Sequence, residues 1–129
     1  MATRRIAPQD GRTAVTSWLA GNAPRGDVAT AVRFTLEELA AAVPGRAVEV
    51  RVPPFGATQA VAGPRHTRGT PPNVVQTDPD TWLSLATGRL TWDDAVASSR
   101  IQASGSRSDL SAYLPLFQPG ASPVGEGLD

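Results

Sequence analysis

The chain contains neither cysteine nor lysine. Without cysteine there are no disulfides, thiolate nucleophiles, zinc–thiolate sites or iron–sulfur clusters. Without lysine, Schiff-base chemistry and a P-loop lysine are excluded. Histidine occurs once, at His66. A catalytic triad therefore has a single candidate base, and no serine sits in a G-x-S-x-G elbow. Carboxylates and histidine nowhere cluster at metal-ligand spacing, so neither a metal nor a cofactor is expected and no catalytic residue stands out. Asp93 and Asp94 are adjacent, which turns them about 100° apart on a helix. Net charge is zero, with 12 arginines against 12 acidic residues. A nucleic-acid partner calls for a basic excess, and none exists here. No run approaches the ~18 apolar residues of a membrane span. The first ten residues are polar and carry Arg4 and Arg5, unlike a signal peptide. A soluble, cytoplasmic chain is expected, and no protein partner is singled out.

What the chain does hold is globular: 40% hydrophobic and 19% charged residues in a length suited to one domain. Residues 1–9 read as a flexible leader and 118–129, rich in Gly, Pro and Ser, as a disordered tail, leaving a domain at 10–117. A helix is predicted over 12–20, with Asp10 as N-cap and Gly21 as its stop. A second runs over 28–43 with Asp27 as cap; Val28, Val32, Leu36, Leu39 and Val43 gather on one face. Phe34 points nearly opposite that stripe. It is either a partly exposed ring packed under a neighbouring segment or a cavity or partner contact.

Residues 46–52 alternate, with Val48, Val50 and Val52 on one side, and 55–62 alternate again. Their connection is too short for a crossover helix, so antiparallel pairing is expected. A short strand at 74–76 follows. Asp78 caps a helix over 79–86 with Pro79 in its first turn, and Gly88 stops it. Thr91 opens another helix, with Asp94 as capping-box partner. Residues 100–104 form a strand with Ile101 and Ala103 inward, and 109–114 a last short helix that Pro115 ends. Four strands and five helices, partly segregated, argue α+β with helices over one sheet face.

Two features call for chemistry or for shape. The segment RHTRGTPPN (65–73) is either a rigid surface loop set by its prolines and glycine, or a polar rim in which Arg65, His66, Arg68 and Thr70 meet the polar end of a ligand. Trp18, Trp82 and Trp92 each lie on the apolar face of a separate helix; they are core residues, or some of them line an apolar pocket.

The runs PGRAVEVRVPP, HTRGTPPNVVQTDPDTWLSLATGRLTWDDA and ASGSRSDLSAYLPLF give the chain a wider kinship. Together they resemble the bacterial branch of the sterol carrier protein family, common in actinobacteria. The strongest unit is Asp78, Trp82, Leu85, Gly88, Leu90, Trp92 and Ala95, followed by a strand ending at Gly105. The resemblance implies an α+β fold with about five strands, mainly antiparallel, helices over one face and a lipid-sized tunnel between them. It implies binding or transport of a hydrophobic small molecule — a lipid, a fatty acyl chain or a sterol-like molecule — without catalysis. By match, Trp82, Leu85, Trp92, Val96, Ile101, Leu114, Leu116 and Phe117 are the candidate cavity wall, to which the position of Phe34 on the second helix adds that residue. Where animal carriers have a lysine-rich segment, this chain has Ser99 and Arg100. The same fold resembles the C-terminal part of mycothiol-dependent maleylpyruvate isomerases, which implies instead an accessory domain with Arg65, His66 and Arg68 as its polar site. A ligand-free interaction module with a filled core is the third reading.

Overall fold

A computed structural model describes residues 6–63 and 73–117. Two helices come first. α1 (Pro8–Ala20) starts with Pro8 at a position where a missing N–H costs nothing, and ends at Gly21, whose φ of 91° suits glycine. It thus begins inside the segment read as a leader. Asp10 lies within its first turn and does not cap it. α2 (Arg25–Ala42) begins after Pro24, so Asp27 is likewise inside the first turn rather than the cap. There its carboxylate accepts a hydrogen bond from Ser17 Oγ at 2.8 Å, joining α2 to α1.

α2 is buried on two sides. Val32, Leu36 and Leu39 belong to the predicted stripe, while Ala31 and Phe34 are buried too. The expectation of a partly exposed Phe34 is corrected: the residue is 1% exposed. The cause is Gly11 of α1, where any Cβ would overlap the Phe34 ring. One missing side chain lets the ring sink between two helices.

The sheet follows. β1 (Val48–Val52) and β2 (Gly56–Ala60) form an antiparallel hairpin. Its turn is clamped by α2: Arg33 Nε donates to Phe55 O at 2.9 Å, and the Arg25 guanidinium lies 4.9 Å from the Phe55 ring centre. β3 (Asn73–Thr77) pairs with β1 in parallel, and β4 (Ile101–Ser104) pairs with β3 antiparallel. The order is β2-β1-β3-β4. Among the described residues the sheet is therefore four-stranded and mixed, which corrects the five strands; the expected antiparallel pairing holds for β1 with β2 and for β3 with β4, but not for β1 with β3. A crossover helix is unnecessary because β2 itself returns the chain. Ala60 ends opposite Val48, and Asn73 starts beside that same residue on its other flank.

Val61, just past β2, has a φ of 72° and is buried. Its N–H donates to Val43 O at 2.8 Å and its carbonyl accepts from Ala47 N at 2.9 Å. A β-branched residue held there stores about 1–3 kcal/mol of strain.

α3 (Pro79–Ala86) and α4 (Trp92–Ala97) complete the helices, each capped as the residues predict. Thr81 N donates to Asp78 Oδ1 at 2.8 Å, and Asp94 N donates to Thr91 Oγ1 at 3.1 Å. Residues 109–114 form no helix. Ser111 N donates to Asp109 Oδ1 at 2.8 Å, and Tyr113 N to Leu110 O at 2.9 Å, so the segment closes as local turns. An Asx turn competes with a helix of so few residues, and Pro115 forbids its extension.

The helices cover one sheet face. Val48, Val50, Val52, Ala60 and Val75 share it and are buried, whereas Arg51, Ala57, Gln59 and Gln102 on the other face are exposed. β4 is the exception. Register puts Ala103 beside Val75 on the covered face, yet Ala103 is exposed and Ile101 only half-buried. The helical layer stops short of β4, which corrects the inward assignment of Ala103.

Candidate ligand cleft

The nine apolar candidates separate by depth. Phe34 and Trp82 are closed off from solvent. The Trp82 indole N–H donates to Thr35 Oγ1 at 2.7 Å, and that hydroxyl donates in turn to Ala31 O at 2.8 Å. This buried chain leaves no polar atom wanting, so Trp82 packs α3 against α2 as core, while Phe34 packs α2 against α1. Val96 lies at the other extreme, 50% exposed on α4.

Leu85 of α3, Trp92 of α4 and Leu114 of the C-terminal segment converge on one cleft of about 190 Å³. Gly88, Leu90, Thr91, Asp93, Ser111 and Pro115 also line it. The C-terminal segment is held there by its backbone: the N–H groups of Leu116 and Phe117 both donate to Ala86 O, at 2.9 and 3.2 Å. Leu110 is fully buried behind it, while Leu114, Leu116 and Phe117 are half-buried. Ile101 is also half-buried against the core. Asn73 fixes the segment's start. Its Nδ2 donates to Ala47 O at 2.8 Å and its Oδ1 accepts from Arg107 N at 3.1 Å, while Gly105, at φ 94°, leaves room that a Cβ would deny.

Arg65, His66, Arg68 and Thr70 lie outside the described residues. Asp93 and Ser111 were missed in the sequence. Asp93 reads as an ordinary first-turn acid, and no local pattern shows that the 88–93 and 111–115 segments meet.

The electrostatics of the cleft are one-sided. Asp93 is its one charged lining residue among those described. Two positions before Ser111, Asp109 takes hydrogen bonds from the backbone and side chain of that serine, which hold its carboxyl below the ordinary value. The arginines that flank this region face elsewhere. Arg89 stands over the Trp18 ring at 5.4 Å and donates to Leu19 O at 3.3 Å. Arg100 donates to Thr81 Oγ1 at 3.0 Å and sits 3.8 Å from Asp80.

Other hollows lie among the described residues. A groove of about 750 Å³ runs between the end of α2 and β2, past Pro44, Arg46 and Gln59. A polar hollow of about 280 Å³ at the start of α3 holds Asp78, Arg100 and Gln102. Among the described residues no three His, Asp or Glu side chains are grouped to hold a metal, and no helix is long and apolar enough to cross a membrane.

Residues 24–116 match a family model described as "Bacterial SCP ortholog". No curated protein matches the chain significantly.

Proposed function

We propose that this chain, which belongs to the bacterial sterol carrier protein family, binds and carries an apolar small molecule and does no chemistry on it. One observation carries the reading: Leu85, Trp92 and Leu114, from three separate segments, meet at a single cleft. Ligand sites are concave and mostly apolar, with a few polar groups at the edge. In this reading residues 10–117 make the carrier domain, the cytoplasm is its compartment, and no cofactor takes part. Trp82, buried on the same helix as Leu85, acts as the rigid backing of the wall, and Phe34 stands apart from it in the α1–α2 core. Leu116 and Phe117 act as the part that yields to a longer guest, because their burial is incomplete. The cleft at about 190 Å³ lies below the roughly 300 Å³ at which drug-sized sites begin.

Native mass spectrometry of protein purified from its own host tests this. A co-purified small molecule is expected, together with binding of the neutral apolar dye Nile red. Trp92→Ala is expected to weaken dye binding about tenfold, near 1.4 kcal/mol. Neither adduct nor dye binding would end the carrier reading, and unchanged affinity in the Trp92 variant would move the site elsewhere.

A further inference from the structure

We infer that residues 111–117 form a strap hinged at Leu110, and that its release from α3 is the gate through which a guest enters the cleft. The gate rests on the carrier reading; the strap stands without it.

The hinge is set by an abrupt change in how the chain is held. Up to Leu110 it is pinned. Arg107 N donates to Asn73 Oδ1 at 3.1 Å, Ser108 Oγ donates to Gly105 O at 2.9 Å, and the Leu110 side chain is fully buried. From Ser111 to Phe117 no residue is buried. The N–H groups of Ser111 and Tyr113 turn back onto Asp109 and Leu110, so these bonds are local and survive a movement of the strap. Among the described residues, the hydrogen bonds that tie the strap to another element end on one atom. This is the Ala86 oxygen at the end of α3, which Leu116 and Phe117 share. A segment with one shared acceptor and only half-buried contacts opens locally at a small fraction of the free energy of global unfolding.

The cleft gives that movement a consequence. Leu85, Leu90 and Trp92 stand on one side, and Ser111, Leu114 and Pro115 of the strap on the other. Closed, it holds about 190 Å³, below the roughly 300 Å³ at which drug-sized sites begin. Swinging the strap outward removes one wall and uncovers apolar area that a guest then covers.

Amide hydrogen exchange of the ligand-free full chain, read by NMR over a series of low urea concentrations, tests the strap. The Leu116 and Phe117 amides are expected to exchange together, about 100-fold faster than those of Leu36 and Leu39 in α2. Their rates are expected to be nearly independent of urea, because a local opening exposes little surface. Exchange at the α2 rate with the α2 urea dependence would overturn the strap. Stopped-flow association of Nile red tests the gate. Phe117→Ala removes half-buried contacts that hold the strap closed, so it is expected to speed both Leu116 exchange and dye association about fivefold. Faster exchange with unchanged dye association would refute the gate and leave the carrier reading standing. Absence of dye binding by the wild-type chain would end the carrier reading and the gate together, while exchange still decides the strap.

Discussion

Two regions of this molecule are alike in apolar content and unlike in how they bury it. Around α2, β1 and α3, the side chains of Val32, Leu39, Val48, Val50, Trp82 and Leu83 are inaccessible to water. From β4 onward, Ile101, Tyr113, Leu114, Leu116 and Phe117 only lean on that core. The first region is closed because helices press it from one side and a second helix backs α2 from the other. The second has the same chemistry without a second covering layer. A surface of half-buried apolar groups is the place where a guest can supply missing contacts, since apolar area still in water is the driving force for binding.

Truncation on the two sides breaks or sharpens that contrast. Trp82→Ala is expected to cost about 3–5 kcal/mol, because it opens a void in a packed core. It also removes the indole donor from Thr35. Leu114→Ala, at a half-buried site, is expected to cost about 1–2 kcal/mol. Urea denaturation followed by circular dichroism reads both. Equal costs would mean that the C-terminal layer is as closed as the core, and the contrast would fall.

The same contrast governs what the sequence discloses. Val48, Val50 and Val52 announce a buried strand face by period-two alternation, and Asp78, Pro79 and Thr91 announce two helix starts by capping chemistry. Those signals are local, and all of them are met. Phe34 is different: its burial depends on Gly11, 23 positions away, which has no side chain to signal the fit. The parallel pairing of β3 with β1 depends on where β2 delivers the chain, which spacing alone does not encode. Residues 109–114 carry helical spacing, but an Asx turn at Asp109 uses the same residues otherwise. The cleft was half legible. Leu85, Trp92 and Leu114 came from family likeness, while Asp93 and Ser111 become neighbours only through a tertiary approach.

At the junction of the two regions stands Asp78, which caps α3 and faces Arg100 at the start of β4. Burial pushes its carboxyl upward, but hydrogen bonds from Thr81 N–H and Oγ–H, with its own backbone N–H and the Arg100 charge, outweigh this and hold it below the ordinary value. A carboxyl depressed in the folded state stabilises above its unfolded value, and that contribution fades as pH falls through the folded one. Asp78→Asn is therefore expected to cost about 1 kcal/mol at neutral pH, as a weakened N-cap. The gap from wild type is expected to narrow below roughly pH 4. Thermal melts of both proteins across pH 3–7 check this; a gap constant with pH would show that the charge of Asp78 contributes nothing.

The smallest effect is expected at Val96, and it is the most discriminating for the site. Val96 shares α4 with Trp92, and family likeness placed both on the cavity wall. The structure sets them apart: Trp92 lines the cleft and is 9% exposed, whereas Val96 is 50% exposed and absent from the cleft's wall. Val96→Ser removes little buried apolar area, so stability is expected to change by no more than about 0.5 kcal/mol. Nile red affinity is expected to stay at the wild-type value while Trp92→Ala lowers it. A Val96 variant that keeps its stability and loses the dye would put the guest on the outer flank of α4.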